Sequence, residues 1–144
     1  MNEQIILFIV MVLVGLVFNP MNILAYQFSD LYLSITLLYS ALFMASNMLW
    51  SHQIVHYLSM GHFNTQIFMI GICLSVLFIG LLRFQIFVND ENWLKRMITH
   101  HSTAITTTKQ LLNKRKYNDN IFRLAKDIVT TQEIEILTMK NFLS

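Results

Sequence analysis

The stretch "RMITHHSTAI", Arg96 to Ile105, sets two histidines side by side among apolar residues of helical spacing. A buried imidazole has to be satisfied by something, and three chemistries answer that need: a metal ion, a proton, or a hydrogen-bond partner. A second set of donors lies earlier in the chain. Met44, Met48, His52, His56 and Met60 recur every four residues, with His62 two positions further on. Helical neighbours four apart share a face at about 6 Å, so adjacent members of this ladder can share one ion. The stripe drifts by about 40° per step, so the whole ladder cannot face one point. Thioether plus imidazole is a soft donor set, suited to Cu(I) or Ag(I) rather than to Mg or Ca. A plainer reading stands beside it, with methionine as apolar filler and histidine as an interfacial or hydrogen-bonded residue.

The elements that must position these residues differ between the two halves of the chain. Of 144 residues, 55% are hydrophobic and only 12% charged, a balance unlike that of a soluble domain. Every Lys and Arg lies at or after Arg83, and before it the only acidic residues are Glu3 and Asp30. The pattern predicts a transmembrane region over 1–88 and a small polar helical domain over 89–144. Apolar runs of spanning length place three membrane helices at about 5–24, 31–50 and 67–88, the first kinked at Pro20. "MNEQ" has no positive n-region and no small-residue cleavage site follows, so the first run reads as a retained helix rather than a signal peptide. The lipid bilayer is thus the first expected partner. Arg83, Lys95 and Arg96 flank the third span while the earlier loops lack Lys and Arg, which puts the C-terminal domain in the cytoplasm by the positive-inside rule. A net charge of +2 gives no footprint for nucleic acid. The lone Cys73 cannot form an intramolecular disulfide.

Two stripes of helical period follow. Asn89 and Asp90 cap a helix carrying Leu94, Met97, Ile98, His101, Ala104, Ile105, Thr108 and Leu112; "NKRKYNDN" makes a polar connection, with Asp119 or Asn120 capping the next helix. That helix carries Ile121, Ala125, Ile128, Gln132, Glu135, Ile136, Met139 and Leu143. A short connection implies an antiparallel hairpin. If Leu112 faces Ile121, His101 faces Gln132 and Met97 faces Ile136, so His100, His101, Gln132 and Glu135 meet at one level. Met97 and Met139 lie toward the membrane-proximal helix ends. A metal site, a self-satisfied polar network and a register pin for a dimer are all open to such a group.

The phrases "WLKRMITHHSTAI" and "LAKDIVTTQEIEILTMKNFL" resemble the DUF 305 family (domain of unknown function 305), a ferritin-like helical module. Met97, Ile98, His100, His101, Ala104 and Ile105 match its first phrase; Leu124, Ala125, Ile128, Gln132, Glu135, Ile136, Met139 and Leu143 match its second. The match spans about 90–143, and the membrane half looks like that of three-span members with Met- and His-rich N-terminal helices. The resemblance implies an all-α fold and a copper or silver role for His100, His101, Met97 and Met139. Thr99 stands where the family usually has proline, and Thr107 where many members have methionine.

The expected function is therefore a membrane-anchored protein binding a soft metal, Cu(I) or silver, through His100, His101, Met97, Glu135 and Met139, with Met48, His52 and His56 as further ligands. The alternative is a metal-free interaction module, a homo-oligomer whose hairpins pair into a four-helix bundle. No catalysis is expected. Di-iron chemistry needs several carboxylates and paired Glu-x-x-His motifs, and neither these nor a glycine-rich phosphate loop nor a Gly-x-Ser-x-Gly nucleophile is present.

Overall fold

The computed structural model describes residues 3–114 and 118–144. Among them every regular element is helical: α1 (Glu3–Val17), α2 (Pro20–Ile23), a 3₁₀ turn (Phe28–Asp30), α3 (Ile35–Met60), α4 (Thr65–Phe84), α5 (Asp90–Leu112) and α6 (Asp119–Leu143). They form two compact units, Met1–Asn19 with Ile35–Val88, and Pro20–Ser34 with Asn89–Ser144. Residues 20–34, placed in the transmembrane region from the sequence, group instead with the hairpin.

In the first unit α3 packs against both α1 and α4. Small residues make the close approaches possible, because a helix surface without bulky side chains lets two backbones meet. A β-carbon on Gly15 would lie 3.2 Å from Ala41, and one on Gly71 would lie 2.9 Å from the Trp50 backbone nitrogen. Ser75 Oγ lies 2.9 Å from Asn47 Oδ1 and 2.9 Å from its own helix's Gly71 carbonyl, so one proton ties α4 to α3. Trp50 Nε1 donates to the same Asn47 oxygen at 3.0 Å. Asn64 caps α4, its side chain accepting from Ile67 N, and α4 ends at Gln85 in the left-handed region.

Two stretches, Glu3–Ile23 and Thr65–Phe84, are long and apolar enough to cross a membrane. The expected second span over 31–50 is corrected. Residues 31–34 are not helical, and the helix runs from Ile35 to Met60, with Ser46, Asn47, His52 and Gln53 diluting its apolarity. The physical reason is position. As the central helix, α3 buries Thr36, Ser46 and Gln53 against protein, where each finds a hydrogen-bond partner.

The second unit is built on the antiparallel α5–α6 hairpin. Ile98, Ile105, Ile136 and Met139 form its core, with Tyr32, Leu94, Met97 and Leu143 packed against them. Asn89 caps α5 by accepting from Asn92 N at 2.9 Å, with Asp90 and Glu91 in the first turn, as the sequence predicts. Asn118, rather than Asp119 or Asn120, caps α6, accepting from Asn120 N. Of the polar connection between them, residues 115–117 lie outside the described residues.

Candidate functional site

The two faces of the hairpin carry different chemistry. One is closed by residues 20–34 through Asp30, whose exposure is 2%. The Asp30 carboxylate accepts from Ser102 Oγ at 2.6 Å and from Lys140 Nζ at 2.6 Å, while its backbone carbonyl accepts from Thr99 Oγ1 at 2.8 Å. Ser102 Oγ in turn accepts from Tyr26 N at 2.7 Å. Lys109 Nζ sits 4.0 Å over the Tyr26 ring and donates to Glu133 at 2.8 Å. These partners, the Glu133 hydrogen bond first and Tyr26 second, raise the Lys109 pKa. A cavity of about 230 Å³ opens beside Asp30, floored by Ile105, Ile136 and Leu137 and rimmed by Glu133 and Lys140. A buried carboxylate is tolerated only where charge and hydrogen bonds meet it, and here three side chains and a backbone N–H supply the network.

The opposite face carries the histidines. His101 Nδ1 lies 3.0 Å from Glu135 Oε2, with the His101 side chain 13% exposed. The oxygen lies off the direction of a well-aligned hydrogen bond, since Nδ1 has no partner of hydrogen-bonding geometry; the contact is chiefly Coulombic. Gln132 Nε2 reaches the same carboxylate oxygen at 3.4 Å. The contact lies about one helical turn further along α6 than the expected pairing, with Glu135 rather than Gln132 against His101. His100 is exposed, its ring edge-on to His101 at 5.9 Å between centroids.

The methionines do not join this group. Met139 is 7% exposed and its side chain belongs to the Ile98–Ile105–Ile136 core, which Met97 flanks. Apolar contacts occupy Met139 on the core side, whereas His100 points to water. Among the described residues no group of three His, Cys, Asp or Glu side chains is arranged to hold a metal ion. Within one chain the hairpin thus brings together two donors, His101 and Glu135, which falls short of the five residues, His100, His101, Met97, Glu135 and Met139, expected there for copper or silver. In the first unit, Met44 and Met48 are 45% and 37% exposed. The rings of His52 and His56 stand 6.1 Å apart, and His62 lies 6.3 Å from His56.

Desolvation is the largest influence on His101 and lowers its pKa; Glu135 opposes it and His100 adds to it. A depressed histidine pKa means that the unfolded chain binds the proton more tightly. The stability contributed by neutral His101 is then present above the ordinary histidine pKa near 6.5 and is lost as pH falls toward the folded value. We expect the hairpin to melt lower at pH 5 than at pH 7.5, and the NMR titration midpoint of His101 to fall further in Glu135→Gln. A midpoint that rises in that variant would contradict this assignment.

Residues 81–143 match the family described as Domain of unknown function (DUF305). Over 142 residues the chain is 32% identical to "Uncharacterized protein L153" of Acanthamoeba polyphaga mimivirus, covering 99% of this chain and 92% of that one. The chain belongs to the family of that viral protein. Its DUF305 region takes in α5, α6 and the end of α4, so the resemblance carried by the two sequence phrases holds. No solved structure matches the chain.

Sequence reasoning missed the Asp30 side of the DUF305 unit. Thr99, Ser102 and Lys140 sit at unremarkable positions of two amphipathic helices, and nothing in their spacing points to a residue 69, 72 and 110 positions earlier. One signal was available: Asp30 is one of just two carboxylates before Arg83, and a lone acid in an apolar stretch calls for a partner.

Proposed function

We propose that the protein is a multi-pass membrane protein whose DUF305 unit is a non-catalytic assembly module, pairing with a second copy through the His101–Glu135 face to complete a four-helix bundle. The observation that carries this reading is the asymmetry of the hairpin. Residues 20–34 cover one face through the Asp30 network, whereas the other retains Trp93, Leu124 and Phe142 at 51%, 59% and 71% exposure. On α5, Trp93, Met97, His100, Ala104 and Leu111 follow one another at spacings that keep them on one side of the helix. A pair of helices has little core of its own. A second copy supplies an identical face, apolar against apolar, with the His101–Glu135 pairs setting the register.

In this reading α1 and α4 contact lipid, and α3 crosses between them, its polar positions shielded by its neighbours. The basic residues from Arg83 onward favour a cytoplasmic DUF305 unit. Copper or silver capture is the second reading. It requires further ligands from elsewhere, because among the described residues the hairpin brings together His101 and Glu135 with His100 adjacent, and no thioether joins them.

Crosslinking of the tagged protein in native vesicles tests the assembly. Dimers are expected for the wild type and for Ile134→Asp, a position 60% exposed and about 100° around α6 from Glu135, and their loss is expected for Leu124→Asp/Phe142→Asp. Monomers at every concentration would end the proposal. Protease access to the C-terminal tag in the same sealed vesicles reports the orientation.

A further inference from the structure

The first unit holds three of the five histidines in the chain, and the fold gathers them where α3 gives way to α4. His52 and His56 are one helical turn apart on α3, with ring centroids separated by 6.1 Å. Gly61, with φ of +74°, turns the chain back at the end of α3, and His62 comes to rest 6.3 Å from His56. All three rings line one cavity of about 290 Å³, together with Gln4.

Two features of this cavity point to a ligand. His56 Nδ1 lies 3.0 Å from the backbone carbonyl of His62. A carbonyl only accepts, so Nδ1 carries the hydrogen and the Nε2 lone pair is left free. That is the second-sphere arrangement that orients metal-binding imidazoles. On the same wall, His52 Nδ1 and Gln4 Oε1 are buried atoms with no hydrogen-bond partner among the described residues. Orphaned buried polar atoms are rare enough to require a cause, and two of them border one cavity here.

We propose that His52, His56 and His62 bind a divalent transition-metal ion of the zinc type, with a water molecule in the fourth position donating to Gln4 Oε1. The chemistry accounts for both orphans at once: the ion takes the His52 lone pair, and its water supplies the missing donor. Imidazole nitrogens bind zinc at about 2.0–2.1 Å. In a tetrahedral site the centroids of two such rings stand roughly 5–5.5 Å apart, so the observed separations of 6.1 and 6.3 Å must close by about 1 Å to share an ion. No three side chains yet surround a common point, so binding draws the rings inward by rotation about their χ angles. His62, exposed in the turn after α3, is the ring with most freedom to move. Met48, a ligand in the sequence reading, is replaced by His62, and the donor set becomes all-nitrogen, which suits zinc better than a thioether does.

Isothermal titration of the full chain in detergent micelles with Zn²⁺ tests the site. One equivalent is expected to bind, with affinity falling at least tenfold in His56→Gln and in His62→Gln and unchanged in His100→Ala/His101→Ala. Helicity and melting of the zinc-free variants are measured alongside. Because His62 lies in an exposed turn, its variant keeps the fold and decides the matter if His56→Gln does not. No saturable binding by the wild type, binding indifferent to His62→Gln, or a loss produced equally by the hairpin double variant would each overturn the proposal.

Discussion

Asp30→Ala is expected to destabilise the DUF305 unit by about 3 kcal/mol or more, the usual cost of removing one partner from a buried ion pair. The substitution leaves Lys140 Nζ, otherwise 2.6 Å from the carboxylate, without its counter-charge. It also deprives Ser102 Oγ, fully buried, of its acceptor. Thr99 keeps its bond, because that one goes to the Asp30 backbone. The damage should therefore concentrate where residues 20–34 meet α5 and α6, and urea unfolding with limited proteolysis of that segment would show it. Removing both charges, as in Asp30→Asn/Lys140→Met, should cost less than Asp30→Ala alone, since no unpaired ion is left behind. An Asp30→Ala variant with wild-type unfolding would mean that the network contributes nothing.

Gly71→Val is expected to push α4 away from α3 and destabilise the first unit by about 1–3 kcal/mol, the range for overpacked sites. A β-carbon there would meet the Trp50 backbone nitrogen at 2.9 Å, Trp50 Cβ at 3.0 Å and Leu49 Cβ at 3.3 Å. Backbone cannot rotate aside as a flexible side chain can. The separation would also stretch the Ser75–Asn47 bond of 2.9 Å, one turn further along α4. Gly80 is the control. Nothing lies within 4 Å of a β-carbon built on it, so Gly80→Ala should be neutral or gain up to about 1 kcal/mol from helix propensity. Detergent-induced unfolding followed by loss of helicity compares the two, and equal effects would show that α3 and α4 do not pack as described.

Both expectations rest on contacts that a linear reading handles unequally. The hairpin was legible because amphipathic period, an N-cap at Asn89 and a polar connection all act within a few residues of one another. The sequence register set His101 against Gln132, whereas Glu135, about one turn further along α6, is the residue that meets it, because a short connection narrows the register of two helices without fixing it. His100 and Met139 could not be placed either. Each lies within a turn or so of the predicted level, yet one faces water and the other the core. A helix rotates by 100° per residue, so an error of one residue in facing separates ligand from filler.

What the sequence determined by itself was the class of the molecule: an apolar helical half, a charged helical half, and the identity of the seam between the last two helices. These follow from composition and local periodicity, which each segment expresses whatever surrounds it. Only the tertiary structure decided that residues 20–34 belong with the hairpin, that Asp30 is held by Ser102 and Lys140, and that Gly61 returns His62 to His56. Those pairings depend on which surfaces exclude water together, a property of the folded chain that no local pattern carries.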